Sequence, residues 1–224
     1  MQSIILLSGG LDSLVSLGLS KNKYNVSLAL TFDYGQKSVK HEIDAARRIC
    51  EFYDLEHKVI LLPWLKDITH TALVSDNPVP VNYALENPNA SANAVWVPNR
   101  NGLFLNIAAS FADAGDYDYI IIGANKEEGQ TFPDNTKEFI DAINKEFIFS
   151  AHKKIQAAAP LINSEKYDIV KLALENEIPL ELVWSCYCGK EKHCGECESC
   201  TRLKKALKAN NDTYYMKKIF GIKL

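Results

Sequence analysis

Two periods alternate along the chain. Ser3 to Leu7 is a short apolar run that predicts a buried strand, and Leu11, Leu14, Val15, Leu17 and Leu19 then recur at helical spacing. Val26 to Phe32 predicts a second strand. A helix follows over about Ser38 to Tyr53, with Val39, Ile43, Ala46, Ile49 and Cys50 on its apolar stripe, and Val59 to Leu62 predicts a third strand. This βαβαβ order predicts a parallel sheet with right-handed crossovers, and ligands of such sheets bind beyond the carboxyl ends of the strands. Ser75 to Asn93, rich in Asn, Pro, Ala and Ser, predicts a long loop without regular structure, a length typical of lids and binding loops. Beyond it the pattern predicts a helix through Leu103, Ile107, Ala108 and Phe111, a strand over Tyr119 to Ile122, and helices over about Thr136 to Phe149 and Lys166 to Asn176. The expected fold class is α/β, an open parallel sheet flanked by helices over residues 1–178. A small cysteine-rich, helical segment over 179–224 follows Ile178-Pro179.

Composition narrows the setting. A chain of 224 residues with 47% hydrophobic and 24% charged residues can bury a substantial core. Its formal net charge of −3 gives no electrostatic reason to expect nucleic acid as a partner. No apolar stretch is long enough to span a membrane. The apolar N-terminus lacks a basic leader and is interrupted by Asp12, unlike a signal peptide. The expected location is cytoplasmic, where six cysteines argue for metal binding or reactive thiols before disulfides.

The most telling stretch is Ser8-Gly9-Gly10-Leu11-Asp12-Ser13, between the first strand and the first helix. A helix N-terminus offers free N–H groups and the positive end of a dipole, glycines admit phosphate oxygens close to the main chain, and Ser8 and Ser13 add hydroxyls. The loop matches neither the Walker A pattern nor G-x-G-x-x-G. An ordinary capped strand-to-helix turn is the competing reading. A second cluster is Cys186, Cys194, Cys197 and Cys200, spaced C-x7-C-x2-C-x2-C. That spacing suits a structural zinc held by four thiolates, with the last on the first turn of a helix starting near Ser199. Cys188 and His193 are competing ligands, and an iron–sulfur cluster is the competing occupant. Cys50 reads as a buried helix residue.

The glycine loop resembles the pyrophosphate loop of ATP pyrophosphatases, enzymes that split ATP into AMP and pyrophosphate. The loop combines here with Phe32-Asp33-Tyr34-Gly35-Gln36, Val97-Pro98-Asn99-Arg100-Asn101, Gly123-Ala124-Asn125, Phe132-Pro133-Asp134 and Trp184-Ser185-Cys186-Tyr187 before the cysteine trio. Together these resemble the 7-cyano-7-deazaguanine synthase family over nearly the whole chain. The extra Cys188 and Gln130-Thr131 before Phe132 depart from its pattern.

The resemblance implies an adenine-nucleotide-hydrolase-like fold of the pyrophosphate-loop type with a zinc-binding C-terminal segment. It also implies ligation of 7-carboxy-7-deazaguanine with ammonia at the expense of ATP, in queuosine or archaeosine precursor synthesis. Structural Zn²⁺, Mg²⁺ with ATP and a homodimer are the expected cofactors and assembly. Ser8, Gly9, Gly10, Leu11, Asp12 and Ser13 would hold the pyrophosphate, with Asp12 a direct or water-mediated Mg²⁺ ligand, and the backbone near Thr31 and Phe32 would hold adenine. Arg100 is a candidate cation for the substrate carboxylate or the α-phosphate, or forms a surface ion pair. Asn99, Asn101 and Phe132 complete the expected substrate site. Asp134 binds the guanine-like edge or a metal, or caps a helix. Lys166 reaches the phosphates or is solvated, and Glu127 and Glu128 read as exposed loop acids. A transfer-RNA thiolation enzyme, a ligase acting on a protein target, and a zinc-ribbon module using Arg202, Lys204, Lys205 and Lys208 are the alternatives.

Overall fold

The computed structural model describes residues 2–82 and 88–221. Five parallel strands form the sheet in the order β3-β2-β1-β4-β5: β1 (Ser3–Leu6), β2 (Val26–Asp33), β3 (Glu56–Leu61), β4 (Tyr119–Ile121) and β5 (Gln156–Ala158). The chain runs from β1 outward through β2 and β3, then returns to place β4 on the other flank of β1. The strand order therefore reverses at β1/β4, and the crevice at that reversal is where open α/β sheets bind ligands.

Helices cover both faces. On one lie α1 (Leu11–Ser20), α2 (Val39–Tyr53), α7 (Lys166–Glu175), α8 (Glu198–Ala209) and α9 (Thr213–Phe220). On the other lie α4 (Arg100–Ala114) and α6 (Lys137–Ser150). The period-2 alternation of β1 sorts its side chains between these layers: Ile4 and Leu6 join the α4–α6 side, Ile5 and Leu7 the α1 side. Two shorter helices, α3 (Pro88–Val95) and α5 (Lys126–Gly129), sit near the carboxyl ends of the strands. Leu203, Ala206 and Leu207 of α8 and Met216 of α9 are buried in the same cluster as Ile5 and Leu14, so the cysteine-rich end packs on the main core.

The strands and long helices lie within a few residues of the sequence expectations. The long loop over Ser75–Asn93 is corrected. Its end belongs to α3, which begins at a proline, the residue best suited to a first helical turn. Its middle is tied down at Val81, which forms an antiparallel bridge with Cys197. The part of the expected loop over 83–87 lies outside the described residues. Strand β5 and helix α9 were not anticipated; β5 has three residues, too few to display a period.

Gly9 has a mainly architectural task. Its φ is +77°, and a Cβ there would stand 2.7 Å from the Cβ of Ala45 on α2. Gly10 has room: a Cβ there would meet only the Ser8 hydroxyl at 3.3 Å and the Trp184 carbonyl at 3.9 Å. Gly9→Ala should therefore lower the free energy of unfolding by about 2 kcal/mol or more, through left-handed backbone strain and contact with α2. Urea unfolding would measure it, and a loss under roughly 0.5 kcal/mol would show that α2 yields without cost.

Candidate active site

The glycine loop connects β1 to α1, whose N-cap is Gly10 with no side-chain hydrogen bond to the helix. The capped-turn reading therefore fails. The Ser13 hydroxyl bonds the Gly10 carbonyl at 3.0 Å, the Gly10 N–H bonds the Ser8 hydroxyl at 3.3 Å, and the two hydroxyls lie 3.3 Å apart. The first N–H groups of α1 thus open without a side-chain cap on a cavity lined by Ser8, Gly10, Leu11, Asp12 and Ser13. From β4, Gly123 closes over the loop: a Cβ there would come within 2.9 Å of the Asp12 and Ser13 backbone.

Asp12 enters a buried charge cluster that the sequence reading only half anticipated. Lys166, 7% exposed at the start of α7, places Nζ 2.5 Å from Asp12 Oδ2 and 2.7 Å from Glu128 Oε1. The solvated alternative for Lys166 is excluded. Glu128 is corrected from an exposed loop acid to a cavity-lining partner on α5. Glu127 accepts the Lys166 backbone N–H at 3.1 Å and lies 3.6 Å from Arg202 of α8, whose guanidinium also meets Glu198 at 2.5 Å. Arg202 is therefore half-buried in ion pairs and not on a solvated basic face.

Two carboxylates share one ammonium, and their titrations separate. Burial raises the Asp12 carboxyl to about 6, with Glu128 adding to the rise and Lys166 opposing it. Burial also acts to raise Glu128, but the charge and hydrogen bond of Lys166 outweigh it and hold that carboxyl low. Lys166 loses affinity for its proton by burial and regains more from Asp12 and Glu128, so its pKa is raised. The other carboxylate oxygen of Asp12, Oδ1, is buried with no hydrogen-bond partner.

Arg100 and Asn101, at the start of α4, line the same cavity. Burial would weaken the hold of Arg100 on its proton, but Tyr34, which it hydrogen-bonds, together with Asp134 and Tyr187 more than offsets this, raising its pKa. Phe32 and Phe104 both line the cavity and stack with centroids 3.9 Å apart and planes within 4°.

Five expected residues, Gly9, Thr31, Asn99, Phe132 and Asp134, do not line the cavity. The Thr31 hydroxyl bonds the Leu7 carbonyl at 2.6 Å and His57 at 2.8 Å, Phe132 stacks on Trp96, and Asn99 is exposed at the N-cap of α4. Asp134 is buried; burial raises its carboxyl, opposed by Arg100 and by a hydrogen bond from the Asn135 amide at 3.1 Å. It is not the cap of α6, a role taken by Thr136, whose hydroxyl accepts the Phe139 N–H.

The sulfurs of Cys186, Cys194, Cys197 and Cys200 all lie within 4.8 Å of one another. Zinc–sulfur bonds of about 2.3 Å in a tetrahedron put sulfurs about 3.8 Å apart, so the set fits one metal ion after small closure. The N–H groups of Glu196 and Cys197 point at the Cys194 sulfur, at 3.4 and 3.2 Å, as donors that stabilise thiolate charge. Cys188 stands 3.7 Å from Cys194 but outside this mutual set, and His193 Nε2 accepts the Ser185 N–H at 3.1 Å. The segment leading into the cluster is tied to the glycine loop: the Trp184 N–H donates to the Gly9 carbonyl at 2.8 Å, and the Trp184 ring stacks on His41.

Fold and site together define an α/β protein with a glycine loop at a helix N-terminus beside a cavity, and a four-cysteine cluster able to hold one metal ion. One solved structure with this fold is a 4-thiouridine synthetase–RNA complex with bound ATP, at TM-score 0.50 and 21% identity, covering 78% of this chain and 40% of that one. The family model described as "Queuosine biosynthesis protein QueC" matches residues 2–211. The 7-cyano-7-deazaguanine synthase of Pelotomaculum thermopropionicum is 48% identical over 93% of this chain and 97% of its own. That of Methanosarcina barkeri is 44% identical over 93% and 94%. The chain belongs to this queuosine-biosynthesis family of ATP-dependent synthases. Among the described residues no helix is long and apolar enough to cross a membrane.

The raised Asp12 carboxyl sets a pH dependence. Below about 6 it takes up a proton and the loop loses its anionic side chain, so kcat/KM for ATP should fall on the acid side with an apparent pKa near 6. The sign is opposite for stability. Between 3.8 and about 6 the folded state holds a proton that the unfolded chain releases, so this group lowers stability as pH rises through that window. Urea unfolding at several pH values should show the fall, and Asp12→Asn should flatten it. A flat acid limb would show that Asp12 stays ionised.

Proposed function

We propose that the chain converts 7-carboxy-7-deazaguanine and ammonia into 7-cyano-7-deazaguanine, consuming ATP and releasing AMP and pyrophosphate. The observation that carries this reading is the uncapped N-terminus of α1 opening on the cavity that also holds Arg100. Phosphate donors and a cation for an acid thereby share one enclosure, in a chain of this family.

The chemistry follows from what a carboxylate lacks. Its leaving group would be oxide, so it attacks the α-phosphorus of ATP, forming an acyl adenylate and expelling pyrophosphate. Ammonia adds to the acyl carbon and AMP leaves, giving the amide. The amide oxygen then attacks the α-phosphorus of a second ATP and expels a second pyrophosphate, and loss of AMP and a proton leaves the nitrile.

The N–H groups of α1 with Ser8, Gly10, Leu11 and Ser13 hold the departing pyrophosphate, and Gly9 keeps the loop in shape. Phe32 and the backbone near Thr31 offer the adenine an apolar edge. Arg100, with its guanidinium fork, holds the substrate carboxylate or the α-phosphate, and Asn101 assists. Lys166 fixes Asp12 and supplies positive charge beside the phosphates. Asp134 tunes Arg100 from behind, while Phe132 and Asn99 support the wall.

Asp12, through its unpartnered buried Oδ1, and Glu128 fit a hard cation. They would hold Mg²⁺ arriving with ATP, which supplies neutralisation of phosphate charge. Cys186, Cys194, Cys197 and Cys200 would hold one Zn²⁺ as a cross-link, and four thiolates leave no open coordination position. We divide the chain at 178/179 into the nucleotide part and the zinc-binding segment.

Product analysis tests the reading. Two ATP should be consumed per nitrile, AMP and pyrophosphate should be the primary products, and the amide should accumulate when ATP is limiting. ADP and phosphate would overturn it. Asp12→Asn should lower kcat by roughly two orders of magnitude or more, as when one preorganised contact is lost. Metal analysis should find about one zinc per chain without visible absorbance. Cys197→Ser should impair folding before turnover, because metal-binding energy is folding energy. A brown protein carrying iron and sulfide would refute the zinc assignment.

A further inference from the structure

Glu128 follows β4 and Glu42 follows β2, so two cavity-lining carboxylates stand on opposite flanks of β1. Glu128 is taken up by Lys166, whereas Glu42 has no part in the chemistry above. Its carboxylate is nevertheless held with care. Oε1 accepts the Ser38 hydroxyl at 2.5 Å, and Oε2 accepts the Gln36 amide at 2.9 Å. Gln36 cannot turn away, because the same amide nitrogen donates to the Phe32 carbonyl at 3.0 Å and its oxygen accepts the Tyr34 N–H at 3.0 Å. Gln36 and Ser38 are both buried and line the cavity with Glu42.

We propose that Glu42 is the specificity residue of the site, accepting the paired N–H donors of a 2-amino-pyrimidin-4-one edge, the ring N–H and the exocyclic amine. This rests on the reading of the cavity as a carboxydeazaguanine site. A carboxylate has about four acceptor positions on two oxygens. The two hydrogen bonds from Gln36 and Ser38 use one on each oxygen, leaving acceptor capacity on both. That capacity matches two adjacent donors and mismatches adenine, whose corresponding edge places an acceptor nitrogen beside its amine. The charges are also distributed for such a ligand: Arg100 offers a cation for an acid group and Glu42 an anion for the donor edge. The stacked Phe32 and Phe104 rings give a flat apolar surface in the same cavity. Burial pushes the Glu42 carboxyl up, with Ser38, Gln36 and Arg100 pulling it down. A ligand donating two N–H groups would return part of the solvation that burial removes.

The experiment is steady-state kinetics with three compounds: carboxydeazaguanine, its analogue lacking the 2-amino group, and ATP. The wild-type protein should discriminate against the analogue by roughly ten- to a hundredfold in kcat/KM, the range for a hydrogen bond to a charged group. Glu42→Gln should raise KM for carboxydeazaguanine by a similar factor, keep KM for ATP within about twofold, and lose most of the discrimination. A rise in KM for ATP instead would assign Glu42 to the nucleotide and overturn the proposal. Unchanged discrimination in Glu42→Gln, whatever its kcat, would reduce Glu42 to a fastener of the turn after β2. Should that variant not fold, wild-type kinetics alone decide: equal use of the parent compound and the analogue refutes the proposal. A wild-type protein that forms no nitrile from the parent compound removes the function itself, an outcome distinct from all of these.

Discussion

The structure turns on one ammonium that has no water. Lys166 sits at the first position of α7, where the helix dipole disfavours a cation, and it is almost fully buried. Only the carboxylates gathered around it make that position tenable. Asp12 comes from the glycine loop and Glu128 from the turn after β4, while Glu127 takes the backbone N–H of the same lysine. Three segments far apart in sequence are thus fixed to one point. Removing one member of such a set strands the others without solvent, at a cost of about 3–5 kcal/mol. The loop that would receive pyrophosphate is therefore held in place before any nucleotide arrives, the condition under which its donors favour a transition state over a ground state.

The cysteine-rich end extends the same constraint. It reaches the loop along the backbone, through the Trp184 N–H on the Gly9 carbonyl, and it reaches α5 through Arg202 of α8, which meets Glu127. Ser199 and Leu203 of α8 line the cavity directly. A metal at the four thiolates would hold the start of α8 to the strand-like segment carrying Trp184. Its effect on the chemistry is then mechanical: it sets where α8 can place Arg202 and the cavity wall.

The frame was legible because period and punctuation agree there. The run Ser3–Leu6, the glycine loop and the stripe of α1 give one answer at every level, and so do β2, α2 and α4. The four metal-site cysteines were legible because their ligand spacing is local. The charge cluster was not. Glu128 and Lys166 are side chains that would be solvated in most chains, and only the return of the chain to the far flank of β1 buries them together. The ion pair of Arg202 with Glu127 was hidden for the same reason, since the two residues are far apart in sequence. Asp134 and Phe132 do not line the cavity, because a motif names residues without saying which of them face it. Helix α3 was missed because Asn, Ala and Ser without a regular apolar repeat carry no signal of which side is buried.

The two glycines of the loop show how a motif can mix purposes. Adjacent in sequence, they face different demands. Gly9, with φ of +77° and α2 against it, lets the loop turn under the helix. Gly10, open on the cavity, leaves the main-chain donors at the start of α1 accessible. The room beside the main chain that a Gly-Gly pair suggests thus lies at the second glycine, and the path of the chain to that point depends on the first. Gly123, on the neighbouring strand end, repeats the first role from the other side by admitting the Asp12 backbone. The absence of a methyl group at Gly9 and at Gly123 lets β1, β4 and α2 converge on the loop, and that convergence brings Asp12 within reach of Lys166.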